Sequence, residues 1–156
     1  MTNDLPNRKQ LPHKVPSWVN DNSIFFVTIC TNPKGVNQLC KEETSLQIWN
    51  SAFHYMNIHK WWIHYLLLMP DHVHVLLSLS PKFDLEKTVS SWKRYTSREY
   101  NIKWQRDFFD HRLRDNESFE RKAEYISMNP VRAGLIDNPE NWPYYWGFDS
   151  SGRAIR

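Results

Sequence analysis

Hydrophobic positions along this chain change period several times, and each change marks an element. Ser23 to Thr31 (SIFFVTICT) is aromatic and β-branched, which predicts a strand. Asn32-Pro33-Lys34-Gly35 reads as a turn. From Glu42 to Lys60 the period lengthens. Leu46, Trp49, Phe53 and Met56 fall at helical spacing, with acids at the start. Trp61 to Met69 predicts a second strand. Pro70-Asp71 suits the centre of a tight turn, so a hairpin should lead into a third strand. In that strand Val73, Val75, Leu77 and Leu79 share one face, while His72 and His74 share the other. Phe83 to Tyr100 predicts a second helix, with Leu85, Val89, Trp92 and Thr96 on one side. Gln105 to Leu113 reads as a short fourth strand with poor alternation. A third helix follows, with Asp115 as its N-cap and an end near Asn129, because Pro130 comes next. From Val131 the tail, with Pro139, Trp142 and Pro143, reads as irregular.

The order strand, helix, strand, strand, helix, strand predicts an α+β, ferredoxin-like split βαβ fold. Its antiparallel four-stranded sheet would carry the helices packed on it, with the third strand central. That strand is a stiff mount for ligands. Residues 1–22 read as a basic N-terminal arm, with prolines at 6, 12 and 16 and the cations Arg8, Lys9 and Lys14. Residues 23–147 form the single domain and 148–156 a tail.

Composition narrows the function classes. The 156 residues are 40% hydrophobic, enough for a real core in one domain. Aromatics reach 15%, with eight Trp, and some of those rings could stack on a flat partner. Net charge is +3 and the pI about 8.9, a mild basic bias compatible with nucleic acid. Only four Gly are present and neither G-x-G-x-x-G nor G-x-x-x-x-G-K occurs, which argues against a Gly-rich phosphate loop. Cys30 and Cys40 form no CxxC, so a reducing, cytoplasmic setting is expected. The first twenty residues hold no apolar signal core, and no stretch approaches the ~20 apolar residues that span a bilayer.

Two imidazoles side by side on a strand can bind one divalent metal, although two histidines on a covered face are the plainer reading. About fifty residues later comes Glu124-Tyr125-Ile126-Ser127-Met128-Asn129-Pro130. In a helix, Tyr125 and Asn129 are i,i+4 neighbours, on one stripe with Ser118 and Lys122. Phe119, Ala123 and Ile126 form the adjacent stripe that should face the sheet. Tyr125 would then sit at the core's edge, either as a boundary tyrosine or as a nucleophile. Tyrosine ordinarily titrates near 10, and Lys122 could ease its deprotonation or hold a phosphate. Lys87, Arg94 and Arg98 share one face of the second helix, with Lys93 beside them. They form either a solvated face or, with Arg8 and Lys9, a track for a nucleic-acid backbone. His111 after Asp110 could orient a catalytic group or only satisfy a local site, and His64 reads as structural.

Taken together, these residues resemble the REP-associated tyrosine transposases, a single-tyrosine branch of the HUH (His-hydrophobe-His) nucleases. The resemblance is carried by Met69-Pro70-Asp71-His72-Val73-His74, Trp104-Gln105-Arg106, Tyr125-x-x-x-Asn129-Pro130-Val131, Ala133-Gly134-Leu135 and Trp142-Pro143. The opening Arg8-Lys9-x-Leu11-Pro12-His13 is similar too, so the likeness spans roughly residues 8 to 147. It implies His72, His74 and Asn129 as ligands of Mg2+ or Mn2+, and Tyr125 as the nucleophile. It implies a single-strand DNA endonuclease and strand transferase that forms a 5′-phosphotyrosine on single-stranded or hairpin DNA. Two departures stand out. Asp71 replaces the Asn common before the first histidine and could add charge near the metal. The ending Trp142-Pro143-Tyr144-Tyr145-Trp146 differs from the serine-rich ending of relatives. Two alternatives remain: a domesticated DNA hairpin binder without catalysis, and a metallohydrolase using the histidines and water. A monomer is favoured over a dimer, since no swapping arm is evident.

Overall fold

The structure, a computed structural model, describes residues 16–19, 23–114 and 117–147. The strands are β1 (Phe25–Cys30), β2 (Trp61–Met69), β3 (His72–Leu79), β4 (Phe109–Arg112) and β5 (Tyr145–Gly147). The helices are α1 (Glu42–Asn57), α2 (Leu85–Tyr100), α3 (Phe119–Ser127) and the single turn α4 (Asn129–Arg132). All pairings are antiparallel, in the order β4-β1-β3-β2-β5. β3 therefore inserts between β1 and β2, the split βαβ pattern, and lies at the centre. The sheet has five strands among the described residues rather than four. The additional strand is β5, in the tail read as irregular.

Alternation on β1 and β3 gives the sheet two distinct faces. Val27, Ile29, Val73, Val75 and Leu77 point to one side and pack on Ile48 and Trp49 of α1 and Val89 and Trp92 of α2. Tyr65, Leu67, Met69 and Leu76 point to the other and pack on Ala123 and Ile126 of α3 and on Trp142. β2 is covered on both sides, which explains why it reads as an unbroken apolar run. The sheet thus separates an α1/α2 layer from an α3 layer.

Three local expectations need correction. The buried stripe of α1 is Ser45, Ile48, Trp49, Ala52, Tyr55 and Met56, while Leu46 is exposed. α3 starts later than expected, because Ser118 is its N-cap and accepts a hydrogen bond from the Arg121 N–H at 2.9 Å. Asp115 lies outside the described residues. Pro130 does not stop the helical path either. The chain breaks at Met128 and resumes in α4 with Pro130 in its first turn, where a missing N–H costs nothing.

Candidate active site

His72 and His74 stand on the central strand, on the α3 side of the sheet. Their ring centroids are 4.6 Å apart. Each Nδ1 is held from a different direction. Thr28 lies directly across from His74 on β1, and its Oγ1 is 3.0 Å from His74 Nδ1. His72 Nδ1 donates to Asp71 Oδ1 at 2.8 Å. The second oxygen of Asp71 accepts from the Gly35 N–H at 2.8 Å. Gly35 has φ +84°, a conformation glycine adopts at little cost, so the turn after β1 aims its amide at this carboxylate. With Nδ1–H of His72 donated to a carboxylate, its Nε2 lone pair remains for a ligand, and His74 Nε2 is left likewise in the tautomer whose Nδ1–H donates to Thr28. Burial pushes the pKa of His74 down to about 3, and the charges of His72 and Arg132 add to the effect. A neutral imidazole is the form that binds metal.

Tyr125 comes from α3. Ala123 and Ile126 fix that helix against the sheet, and Phe119 packs beside them, as the stripe predicts. Tyr125 is left at the edge, 57% exposed. Its surroundings come largely from Arg132, at the end of α4. The guanidinium carbon lies 4.2 Å from the centroid of the phenol ring. One nitrogen, Nη2, donates both to the Tyr125 carbonyl at 2.8 Å and to Asn129 Oδ1 at 3.0 Å. Tyr125 and Asn129 therefore straddle a helix junction, and Arg132 clasps them together. Lys122 Nζ sits 5.7 Å from the Tyr125 ring centroid and 5.5 Å from that of Phe26, whose own ring is 5.4 Å from His74. These contacts and the charge of Arg132 on His74 tie the tyrosine and the histidines into one surface.

Other expected residues fall elsewhere. Lys87, Arg94 and Arg98 are exposed, but α2 packs on the opposite side of the sheet from the histidines. Lys93 is not part of that solvated face. It is buried, and its ammonium donates to the carbonyls of Gln105 and Arg106 at 2.7 and 2.9 Å. His111 touches neither histidine, and its Nε2 pairs with Glu117 Oε1 at 3.0 Å. Glu117 Oε2 in turn lies 4.0 Å from Lys122 Nζ. Arg8 and Lys9 lie outside the described residues. His64 donates or accepts at Ser78 Oγ, 2.9 Å away, and packs on Phe119, a structural placement.

Thr28 and Arg132 escaped the sequence reading. Thr28 becomes a neighbour only through cross-strand register, which leaves no local signal. Arg132 did leave one, since it falls at i+3 from Asn129 and i+7 from Tyr125. Ending the helix at Pro130 hid it.

A site for a divalent ion can be tested on these atoms. Among the described residues no group of three or more His, Cys, Asp or Glu side chains could hold a metal. Two imidazoles and an amide oxygen are by type a mixed nitrogen and oxygen donor set of the kind divalent ions accept, and Asn129 Oδ1 would have to serve an ion with the lone pair not engaged by Arg132.

These features define the chain as an antiparallel α+β protein with His-x-His on its middle strand and an exposed tyrosine beside it. The chain belongs to the IS200-like transposase family, whose model matches residues 24–129. It is 30% identical over 97 residues to a Haemophilus influenzae protein assigned as a REP-associated tyrosine transposase, covering 51% of this chain and 54% of that one. It is 28% identical over 83 residues to the REP-associated tyrosine transposase of Escherichia coli K12, covering 50% and 49%. The chain thus spans about half the length of these curated relatives. Among solved structures it resembles a REP-associated tyrosine transposase bound to a REP hairpin. The TM-score is 0.69 at 18% identity, over 85% of this chain and 81% of that one, a likeness of fold. Among the described residues, no helix is long and apolar enough to cross a membrane.

Proposed function

We propose that this chain is a metal-dependent single-strand DNA endonuclease and strand transferase in which Tyr125 is the nucleophile. The observation that carries the reading is the placement of two imidazoles, each with Nδ1 fixed, on the same surface as an exposed tyrosine clasped by an arginine. His72, His74 and Asn129 would hold Mg2+ or Mn2+, which when bound supplies Lewis acidity at a phosphate oxygen. Asp71 and Thr28 keep both imidazoles turned with Nε2 outward. Arg132 holds the Tyr125 ring and backbone in place and brings a positive charge to the reacting phosphate. The Tyr125 oxygen, its proton passing to solvent, forms a bond to phosphorus in line with the departing 3′-oxygen. That P–O3′ bond breaks and the 3′-oxygen takes a proton from solvent, leaving a 5′-phosphotyrosine and a 3′-hydroxyl. A second 3′-hydroxyl can reverse the step and join strands, with no nucleotide cofactor. The solved relative bound to a REP hairpin supports hairpin DNA as the substrate.

The test is a denaturing gel. Protein is mixed with end-labelled hairpin DNA carrying a single-stranded flank, in Mn2+ or in EDTA, as wild type and as Tyr125→Phe. A metal-dependent covalent protein–DNA band, lost in the variant while native-gel binding persists, is the expected result. Cleavage that survives Tyr125→Phe would replace this reading with a water-using metallohydrolase. Binding without cleavage in the wild type would leave a hairpin-binding protein.

A further inference from the structure

On the α1/α2 side of the sheet lies a groove of about 570 Å³ between α2 and the segment 104–106. Its walls carry Arg94, Arg98 and Arg106, the hydroxyls of Ser90 and Ser97, and the indole of Trp104, and no carboxylate lines it. The groove is built firmly. Lys93, at its base, bonds the carbonyls of Gln105 and Arg106, so the backbone bearing Arg106 is tied to α2. Trp104 is fixed by its Nε1–H donating to Thr96 Oγ1 at 2.8 Å, and its ring packs 5.5 Å from that of Trp92. Among the described residues Arg94 and Arg106 take part in no ion pair, and Arg98 has only the exposed neighbour Glu99. Three guanidinia, two of them uncompensated, thus converge on one concave surface.

The groove is close to the candidate active site although it belongs to the other layer. Cys30, at the end of β1, pairs with His72 on one side and accepts the Gln105 N–H at 2.8 Å on the other. Two strand spacings, about 10 Å, therefore separate the backbone of His72 from the wall of the groove. A second cleft in the same layer has the opposite character. It encloses about 700 Å³ and is lined by Asp84, Glu86, Asp107 and Asp110, with no cation. A polyanion passing over this edge of the sheet is drawn to one cleft and repelled by the other.

We infer that the groove between α2 and residues 104–106 binds the phosphodiester backbone of the single-stranded DNA that flanks the cleavage site. Arg94 and Arg106 contact phosphates, Ser90 and Ser97 donate to phosphate oxygens, and Trp104 offers an indole surface to a sugar or base. The inference rests on the DNA reading above but not on cleavage.

The test measures DNA affinity as a function of salt, in EDTA, by anisotropy of a labelled hairpin with a long single-stranded flank. For a single strand the slope of log K against log salt falls by about 0.7 per phosphate contact removed. Arg94→Ala/Arg106→Ala is expected to flatten the slope by about 1.4, and a blunt hairpin without the flank should show no difference from wild type. The charge-matched Lys60→Ala/Lys82→Ala control should retain the wild-type slope. Unchanged melting of both double variants separates lost contacts from misfolding. An unchanged slope in Arg94→Ala/Arg106→Ala, or an equal loss with the blunt hairpin, overturns the inference. Covalent-adduct assays in Mn2+ report on the nuclease reading separately, because a protein that binds through this groove without cleaving would still show the slope change.

Discussion

At the scale of single residues, the site depends on atoms that hold other atoms. Asp71 spans two loops by accepting from His72 Nδ1 and from the Gly35 amide. Removing it leaves His72 free to rotate and the Gly35 N–H without its partner. Groups that orient a metal-bound imidazole are typically worth 10–100-fold in affinity or activity. Asp71→Ala should therefore raise the Mn2+ concentration needed for half-maximal cleavage by about that factor, while DNA binding in EDTA stays within two-fold of wild type. A titration of cleavage rate against Mn2+ checks this, and an unchanged requirement would remove Asp71 from the site. The histidines and Tyr125 were legible in the sequence because strand and helix periodicities set their faces. Thr28 was not, because register across strands decides its neighbour. His111 fits the local alternative read for it, since its Nε2 pairs with Glu117 six residues further on.

At the scale of elements, long periodic segments were legible and short ones were not. β2 and β3 were read to within a residue, since each is an apolar run bounded by a turn. β5 has only three residues among prolines and aromatics, so no period could announce it. It exists because β2 offers an unpaired edge: Tyr65 to Leu67 pair with Tyr145 to Gly147. Gly147 explains why the fit is close. A Cβ at that position would run into the Tyr65 ring and approach the His64 carbonyl to 3.0 Å. Overpacking of this kind costs about 1–3 kcal/mol. Gly147→Ala should lower the thermal midpoint by several degrees, and a variant melting with wild type would show that β5 shifts to accommodate the methyl group. The end of the third helix was legible to within two residues, at Ser127, but the separate turn α4 was not, because its proline reads as a stop where the chain uses it to begin a new turn.

At the scale of the whole molecule, element order led to the antiparallel arrangement, but not to the layer each helix occupies. The arginines of α2 were read as a solvated face or a nucleic-acid track, and only the packing of Val89 and Trp92 shows that their helix lies on the side of the sheet away from the histidines. The layered burial also sets how stability responds to acid. Burial pushes the pKa of His64 down to about 4, against about 6.5 when the chain is unfolded. Between those values the unfolded chain binds a proton that the folded one refuses, so stability falls as pH drops from 6.5 towards 4. At 1.36 kcal/mol per unit, discounted for partial exposure, His64 contributes roughly 2–3 kcal/mol of this loss. His64→Gln should flatten the dependence in urea melts across that range, though only partly, since His74 acts in the same sense. A variant as acid-sensitive as wild type would place the dependence elsewhere.

The pairing of β5 on β2 has one more consequence. β2 is nine residues of almost unbroken apolar sequence. Left bare, such an edge is a template on which other chains stack into intermolecular sheets. β5 occupies the middle of that template, from Tyr65 to Leu67, so a three-residue strand guards this edge against self-association into aggregates.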